Sequence, residues 1–358
     1  MGKIRVLVVE DSLSVRKRFI EVLGGDPELD IVGEADDGKT AIDLCRTLRP
    51  DVITLDMMLP VMTGLAATEY IMAHFPTPIL IVSASTNRGE LYRTYEALAA
   101  GAVDVLEKPT GDEVDDAWER KFISTVKLVS RIKVITHVRA KLRMPALSAP
   151  VSIEASPRGE SPPCRLIAIG ASTGGPAAIV EILRGLPQSF PLPILLVIHI
   201  GEPFATAFAD WLDGMSPIRV AYAKDGEALP PAGRGGVIMA PPDRHLVLQQ
   251  GGLRLTRDPE RYSCRPSVDV LFESLARESG DKCAACLLTG MGKDGAAGLL
   301  EVRRAGGTTI AQDEATSVVF GMPQEAARIG AAARVLPLGD IAPALRALAD
   351  AAAARGLS

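Results

Sequence analysis

Short apolar runs, broken by glycine, proline and acidic residues, recur from the start of the chain. "IRVLVVE" (4–10), "DIVGEAD" (30–36), "DVITLDMM" (51–58), "PILIVSA" (78–84) and "AVDVLEK" (102–108) are rich in branched apolar residues. Runs of this kind mark parallel strands buried on both faces, which have no solvent side to demand alternation. Between them apolar residues fall at helical spacing, as in "SVRKRFIEVLGG", which ends in glycine. Five strands in βα alternation predict a doubly wound α/β domain, whose sites lie at the carboxyl ends of its strands.

A second series begins past residue 160: "RLIAIG", "PILLVIH", "GGVIMAPP", "HLVLQ", "LRLT", "CAACLLTG" and "TTIAQD". It predicts a second, mainly parallel α/β domain with a short antiparallel excursion near residues 245–256. The stretch between the series has its own character. Residues 112–119 are acidic, and from Arg120 to Ile153 there are eight Lys or Arg and no acid. Trp118, Phe122, Val126, Val129 and Ile132 recur at helical spacing, so an amphipathic connector helix is expected, its charge order complementing the helix dipole. "MPALSAPVSIEASPRGESPPC" then has the Pro/Ser composition of a flexible linker. The expected division is 1–118, a connector and linker at 119–163, and 164–350.

Composition narrows the class. A chain of 358 residues suits two domains with sizeable cores, and a net charge of −5 gives no general case for nucleic-acid binding. No basic flank precedes an apolar leader, so no signal peptide is expected, and the apolar runs fall short of the roughly 20 residues of a membrane helix. Five cysteines without framework spacing suit a reducing cytoplasm. Cys283 and Cys286, three apart on one strand, point to opposite faces and read as packing residues.

In the first series Glu10 and Asp11 close the first strand, Asp56 the third and Ser83 the fourth, while Lys108-Pro109 follows the fifth. Three carboxylates on one edge repel one another unless a cation neutralises them, and Mg²⁺, with its preference for oxygen ligands, suits them. This half resembles the response-regulator receiver domain. The resemblance implies that Asp56 accepts a phosphoryl group, and that Glu10, Asp11, Asp56 and the Met58 carbonyl serve Mg²⁺. It also implies that Ser83 and Lys108 contact the new phosphoryl group, beside a cis peptide at Pro109. The family's switch aromatic is replaced by Val105, so switching is expected to travel through Ser83 and its loop.

In the second series "IGASTGGP" (169–176) places Ser172 between a strand and a helix. It matches neither phosphate-loop pattern and lacks the G-x-S-x-G elbow spacing, yet it suits an exposed nucleophile at a helix N-terminus. A serine nucleophile needs a base. His74 and His137 lie outside this domain; His199 ends a strand on the same edge as Ser172, whereas His245 precedes a strand and reads as a surface or turn residue. Asp294, in "LTGMGKDGAAG" after another buried strand, would fix the tautomer of the histidine.

"GASTGGP", His199, "LTGMGKDGAAG", "RPSVDVLFESLA" and "AQDEATSVVFGMP" together resemble the chemotaxis protein-glutamate methylesterase family, CheB. The resemblance implies Ser172 as nucleophile, His199 as general base and acid, Asp294 as orienting carboxylate, the Met291 N–H in the oxyanion hole and Thr173 beside the histidine. It further implies hydrolysis of glutamate methyl esters and deamidation of glutamines on methyl-accepting chemoreceptors, with no cofactor for the hydrolysis. A CheA-type histidine kinase would be the phosphodonor, and association with receptor arrays would be peripheral. "HIGEPFATAFADWL" departs from the family's Pro-Pro-Gly after the histidine, and Lys293 stands where Asn is frequent. A DNA-binding output would require a helix-turn-helix, for which there is no pattern. A binding or scaffolding module without chemistry is the alternative that Ser172, His199 and Asp294 argue against.

Overall fold

The computed structural model describes residues 2–84, 87–109, 116–132, 134, 164–231 and 233–356. His137, the 144–163 linker and most of the basic stretch beyond Ile132 lie outside the described residues. The first unit runs β1 (Ile4–Val9), α1 (Leu13–Gly24), β2 (Leu29–Ala35), α2 (Gly38–Leu48), β3 (Val52–Leu55), α3 (Gly64–His74), β4 (Ile79–Ser83), α4 (Arg88–Ala99), β5 (Asp104–Glu107) and α5 (Asp116–Val129). Its strands form one parallel sheet in the order β2-β1-β3-β4-β5.

The apolar strand runs are explained by their two buried faces. Leu7, Val9, Ile53, Leu55, Ile79 and Ile81 pack on one side, whereas Val6, Val8, Val52, Leu80 and Val82 pack on the other. The helical stripe of α5 is spent on that second side: Phe122, Val126 and Val129 are fully buried there with Phe19. This helix therefore caps the first sheet rather than standing free between the units.

The second unit runs β6 (Leu166–Ala171), α6 (Gly175–Arg184), β7 (Pro193–Ile198), α7 (Phe208–Met215), β8 (Val220–Tyr222), β9 (Gly236–Met239), β10 (His245–Gln249), β11 (Gly252–Thr256), α8 (Val268–Ser279), β12 (Cys283–Leu287), α9 (Ala296–Arg304), β13 (Thr308–Gln312), α10 (Met322–Arg328), β14 (Arg334–Leu336) and α11 (Leu338–Gly356). Among the described residues its parallel sheet has the order β14-β13-β12-β6-β7-β9-β8, and β10 and β11 form the expected antiparallel pair. Cys286 and Cys283 lie buried on opposite faces of this sheet, as their spacing requires.

Both sheets reverse their winding beside the first strand, and that is where such folds make their crevices. In the second sheet Gly170 pairs with Leu287 and Ala171 with Ile198. Ser172, His199 and the loop after β12 therefore leave the sheet at one carboxyl edge.

The two units are packed against each other through α4, which lies on α6 and α7. Leu91 and Tyr95 of α4 belong to the same buried cluster as Phe204, Phe208 and Trp211. The segment after His199 that departs from Pro-Pro-Gly is thus the one that receives the first unit.

Candidate functional site

At the carboxyl edge of the first sheet, register aligns Val9 with Leu55 and Ser83 with Glu107. Glu10 and Asp56 emerge side by side, as do Ser83 and Lys108. Lys108 Nζ lies 2.8 Å from Glu10 Oε2 and 3.0 Å from Asp56 Oδ2. Burial pushes the Glu10 carboxyl up to about 7 and the Asp56 carboxyl above its usual range, with Lys108 offsetting part of the cost. The ammonium of Lys108 is itself held above its ordinary value: burial opposes this, and the two carboxylates outweigh it.

One cation for two buried acids leaves the cluster short of positive charge. Donor atoms of Glu10, Asp11 and Asp56 lie within 4.8 Å of one another, and Asp56 Oδ1 is buried without a hydrogen-bond partner. An all-oxygen set with an orphaned carboxylate oxygen fits Mg²⁺. Met58 follows in the loop after β3. Ser83 is buried and its Oγ donates to Glu90 Oε1 at 2.7 Å, so the hydroxyl is tied to α4. The Lys108–Pro109 bond is trans, against expectation; the cis bonds among the described residues are Glu202–Pro203 and Arg265–Pro266. Trans is the resting preference of an X–Pro bond, and Lys108 reaches both acids from it.

The second sheet edge assembles Ser172, His199 and Asp294. Gly174, at φ +76°, turns the chain from β6 into α6, and Pro176 occupies the first helical turn. A Cβ on Gly174 would meet Val318 at 2.5 Å, so the left-handed turn admits no side chain. Ser172 N donates to the Thr289 carbonyl at 3.0 Å, and Thr289 Oγ1 holds the Thr173 carbonyl at 2.9 Å. A Cβ on Gly290 would lie 2.8 Å from Ser172 Cβ. That missing side chain brings the peptide before Met291 against Ser172, while the Met291 side chain is 50% exposed.

His199 Nε2 bonds Asp294 Oδ2 at 2.9 Å. Asp294 is 2% exposed and accepts from Ser267 Oγ at 2.8 Å, Val268 N at 2.7 Å and Asp269 N at 3.1 Å. These donors sit at the start of α8, where backbone N–H groups face an anion. Burial alone would raise the Asp294 carboxyl; His199, Val268 and Ser267 outweigh it and hold it below the usual carboxylate range. Burial likewise opposes a charged His199, yet Asp294 and the Cys264 thiol raise the imidazole to about 9. With Nε2 bound to the carboxylate, the other ring nitrogen, Nδ1, faces Cys264 Sγ at 3.7 Å.

His245 is not a surface residue. It is fully buried, with Nδ1 accepting from Ser267 N at 3.1 Å and Nε2 lying 3.3 Å from the Pro259 carbonyl. It supports the loop that holds Asp294. Its burial is possible because both ring nitrogens find backbone partners.

Ser172, Thr173, His199 and Cys264 line a cavity of about 490 Å³ that is also lined by Asp104, Val105, Lys121 and Thr125 of the first unit. The first unit therefore borders the cavity that Ser172 opens into. Sequence alone does not mark Cys264, Ser267 or the α8 amides as site residues. Only "RPSVD", beside Cys264, gave a sequence signal for them. Of the receiver residues in the lining, Val105 stands out in sequence only as the switch position, and Asp104, Lys121 and Thr125 carry no signal, because they reach the cavity through packing between units.

The fold and the two clusters define a receiver packed over a hydrolytic α/β unit. The profile described as CheB methylesterase matches residues 167–345, and that described as response regulator receiver domain matches residues 6–116. The protein-glutamate methylesterase/protein-glutamine glutaminase of Nitrosospira multiformis is 45% identical over 346 residues, 96% of each chain. A Pseudomonas aeruginosa relative with the same activities in its name is 44% identical over 96% of each chain. The crystal structure of the Thermotoga maritima CheB methylesterase catalytic domain is 39% identical and covers 51% of this chain and 97% of its own, with a TM-score of 0.48. The chain belongs to the CheB methylesterase family.

Proposed function

We propose that this protein is a phosphorylation-gated protein-glutamate methylesterase that also deamidates glutamine, with methyl-accepting chemoreceptors as substrates. The observation that carries the proposal is the buried Asp294, fixed by three donors and bonded to His199 on the sheet edge that carries Ser172. Ser172 Oγ attacks the γ-carbonyl of a methylated glutamate, and His199 takes its proton at Nδ1. Asp294 stays ionised on Nε2 and stabilises the imidazolium. The Met291 N–H, brought against Ser172 by Gly290, serves the oxyanion, and Thr173 supports the histidine side of the cavity. His199 then protonates the leaving group. Methanol departs from an ester or ammonia from an amide, and water deprotonated by His199 releases glutamate.

The working division is a receiver at 1–118, a connector at 119–163 with α5 standing across the first boundary, and the hydrolytic domain at 164–350. Asp56 is the phosphoacceptor, with Ser83 and Lys108 attending the phosphoryl group. Glu10, Asp11, Asp56 and the Met58 carbonyl would hold Mg²⁺, which supplies positive charge for phosphoryl transfer. A CheA-type histidine kinase is the donor. No helix among the described residues is long and apolar enough to cross a membrane, which accords with a cytoplasmic enzyme that meets receptor arrays peripherally.

Closure of the receiver over the cavity keeps a bulky helical substrate from Ser172 until Asp56 is phosphorylated. A serine-directed phosphonate tests the chemistry. Phosphodonor-treated protein should be labelled once, and Ser172→Ala should not be labelled; labelling that persists in Ser172→Ala overturns the assignment.

A further inference from the structure

We propose that Cys264 Sγ and His199 Nδ1 form a binding site for a soft divalent cation, zinc or a chemical equivalent, and that its occupation inhibits the enzyme. The two atoms are 3.7 Å apart. A tetrahedral zinc with Zn–S of about 2.3 Å and Zn–N of about 2.0–2.1 Å places its sulfur and nitrogen ligands about 3.6 Å from each other. The pair is therefore already at the spacing of a coordination edge.

The imidazole is set for the role. Asp294 holds Nε2 at 2.9 Å, so the nitrogen left to offer a lone pair, once the imidazolium gives up its proton, is Nδ1, facing the sulfur. A carboxylate on the far nitrogen is the usual support of a metal-bound histidine, because it fixes ring orientation and raises ligand basicity. Donor atoms of His199, Cys264 and Asp294 all lie within 4.8 Å of one another. Asp294, with four hydrogen bonds, is placed to orient the histidine rather than to ligate. The adjoining cavity admits water for the remaining positions. Two protein ligands and water make a reversible site, not a permanent structural one.

Binding forms one metal–sulfur and one metal–nitrogen bond and releases the thiol proton and, from the charged imidazole, the Nδ1 proton. It also occupies the lone pair that must accept the Ser172 proton, so a bound cation and a working base exclude each other. The inhibitory consequence rests on the proposed role of His199; the binding does not.

Cobalt absorption and hydrolysis separate the two. Full-length protein, stripped with a chelator and kept reduced by a phosphine, is titrated with Co²⁺ or Zn²⁺. The other four cysteines are buried, so a near-ultraviolet thiolate-to-cobalt band reports Cys264. The expected result is a band in the wild type that is lost in Cys264→Ala, and zinc inhibition reversed by chelator. Losing the thiolate should raise the zinc concentration for half-inhibition by about tenfold or more, each protein being compared with its own metal-free rate. Absence of the band in the wild type, or equal zinc sensitivity in Cys264→Ala, overturns the site. A band that forms without inhibition keeps the site and overturns the role of His199 as base.

Discussion

Tyr95 is the buried aromatic side chain through which α4 of the receiver packs into the hydrolytic unit. It belongs to α4 of the receiver and is fully buried, yet its ring lies in the core of the hydrolytic unit. It meets Phe208 edge-on at 5.2 Å and Trp211 at 5.4 Å, and its hydroxyl donates to the Phe204 carbonyl at 2.5 Å. Truncating a buried aromatic to Ala costs about 3–5 kcal/mol. Here the loss falls on the closed form, since in an open receiver the ring has left that core. A loss of ~3 kcal/mol moves the closed-to-open ratio by about a hundredfold. Tyr95→Phe keeps the ring and loses one hydrogen bond, about 1 kcal/mol, or about a fivefold change. If closure holds the resting rate down by about tenfold, which takes ~1.4 kcal/mol, Tyr95→Ala should recover nearly all of it. The same arithmetic gives Tyr95→Phe about a three- to fourfold rise. The assay is methanol release from methylated receptor membranes in an Asp56→Ala background, without phosphodonor. A folded Tyr95→Ala protein that works at the resting rate would refute the reasoning.

Three further outcomes are expected. Asp294→Asn should preserve the fold and cut turnover by about 10⁴, because the amide no longer fixes the imidazole tautomer; near-normal turnover removes Asp294 from the mechanism. Asp104, which lines the cavity together with Lys121, His199, Glu202, Asp243, Glu260 and Arg265, is raised to about 6 by burial, with Val105 N–H and Lys121 offsetting only in part. An open form that returns the carboxyl to water returns it toward the ordinary ~3.9. Its contribution to closure is therefore complete below that value and lost as pH rises through about 6. Resting activity relative to phosphorylated activity should climb across that window, and an unchanged climb in Asp104→Asn would exclude the residue. Glu90→Ala, which frees the Ser83 hydroxyl from α4, should leave phosphate incorporation at Asp56 intact, raise resting activity and shrink the stimulation. Unchanged resting and stimulated rates would show that the Ser83–Glu90 bond carries no signal.

Strands buried on both faces announce themselves as apolar runs, so β1, β3, β6, β7 and β12 were legible, and the residues at their ends followed. β8 and β14 were not: each is three residues long with a half-exposed pattern, too short for periodicity to register. The stripe of α5 was visible, but spacing cannot say which sheet it covers. His245 looks like a surface residue in sequence because its burial depends on partners at Ser267 and Pro259, more than a dozen residues away. Cys264 and Asp104 escaped for a related reason. Each owes its place to contacts between segments distant in the chain, and neither carries a local pattern.

The central claim is that Ser172 hydrolyses receptor esters under the control of Asp56. Methanol release from methylated receptor membranes, measured with and without a small phosphodonor and Mg²⁺, tests it most directly. The wild type should be stimulated, Asp56→Ala should keep resting activity without stimulation, and Ser172→Ala should release nothing above background in either condition. Methanol release by Ser172→Ala at the wild-type rate, or full stimulation of Asp56→Ala, would contradict it.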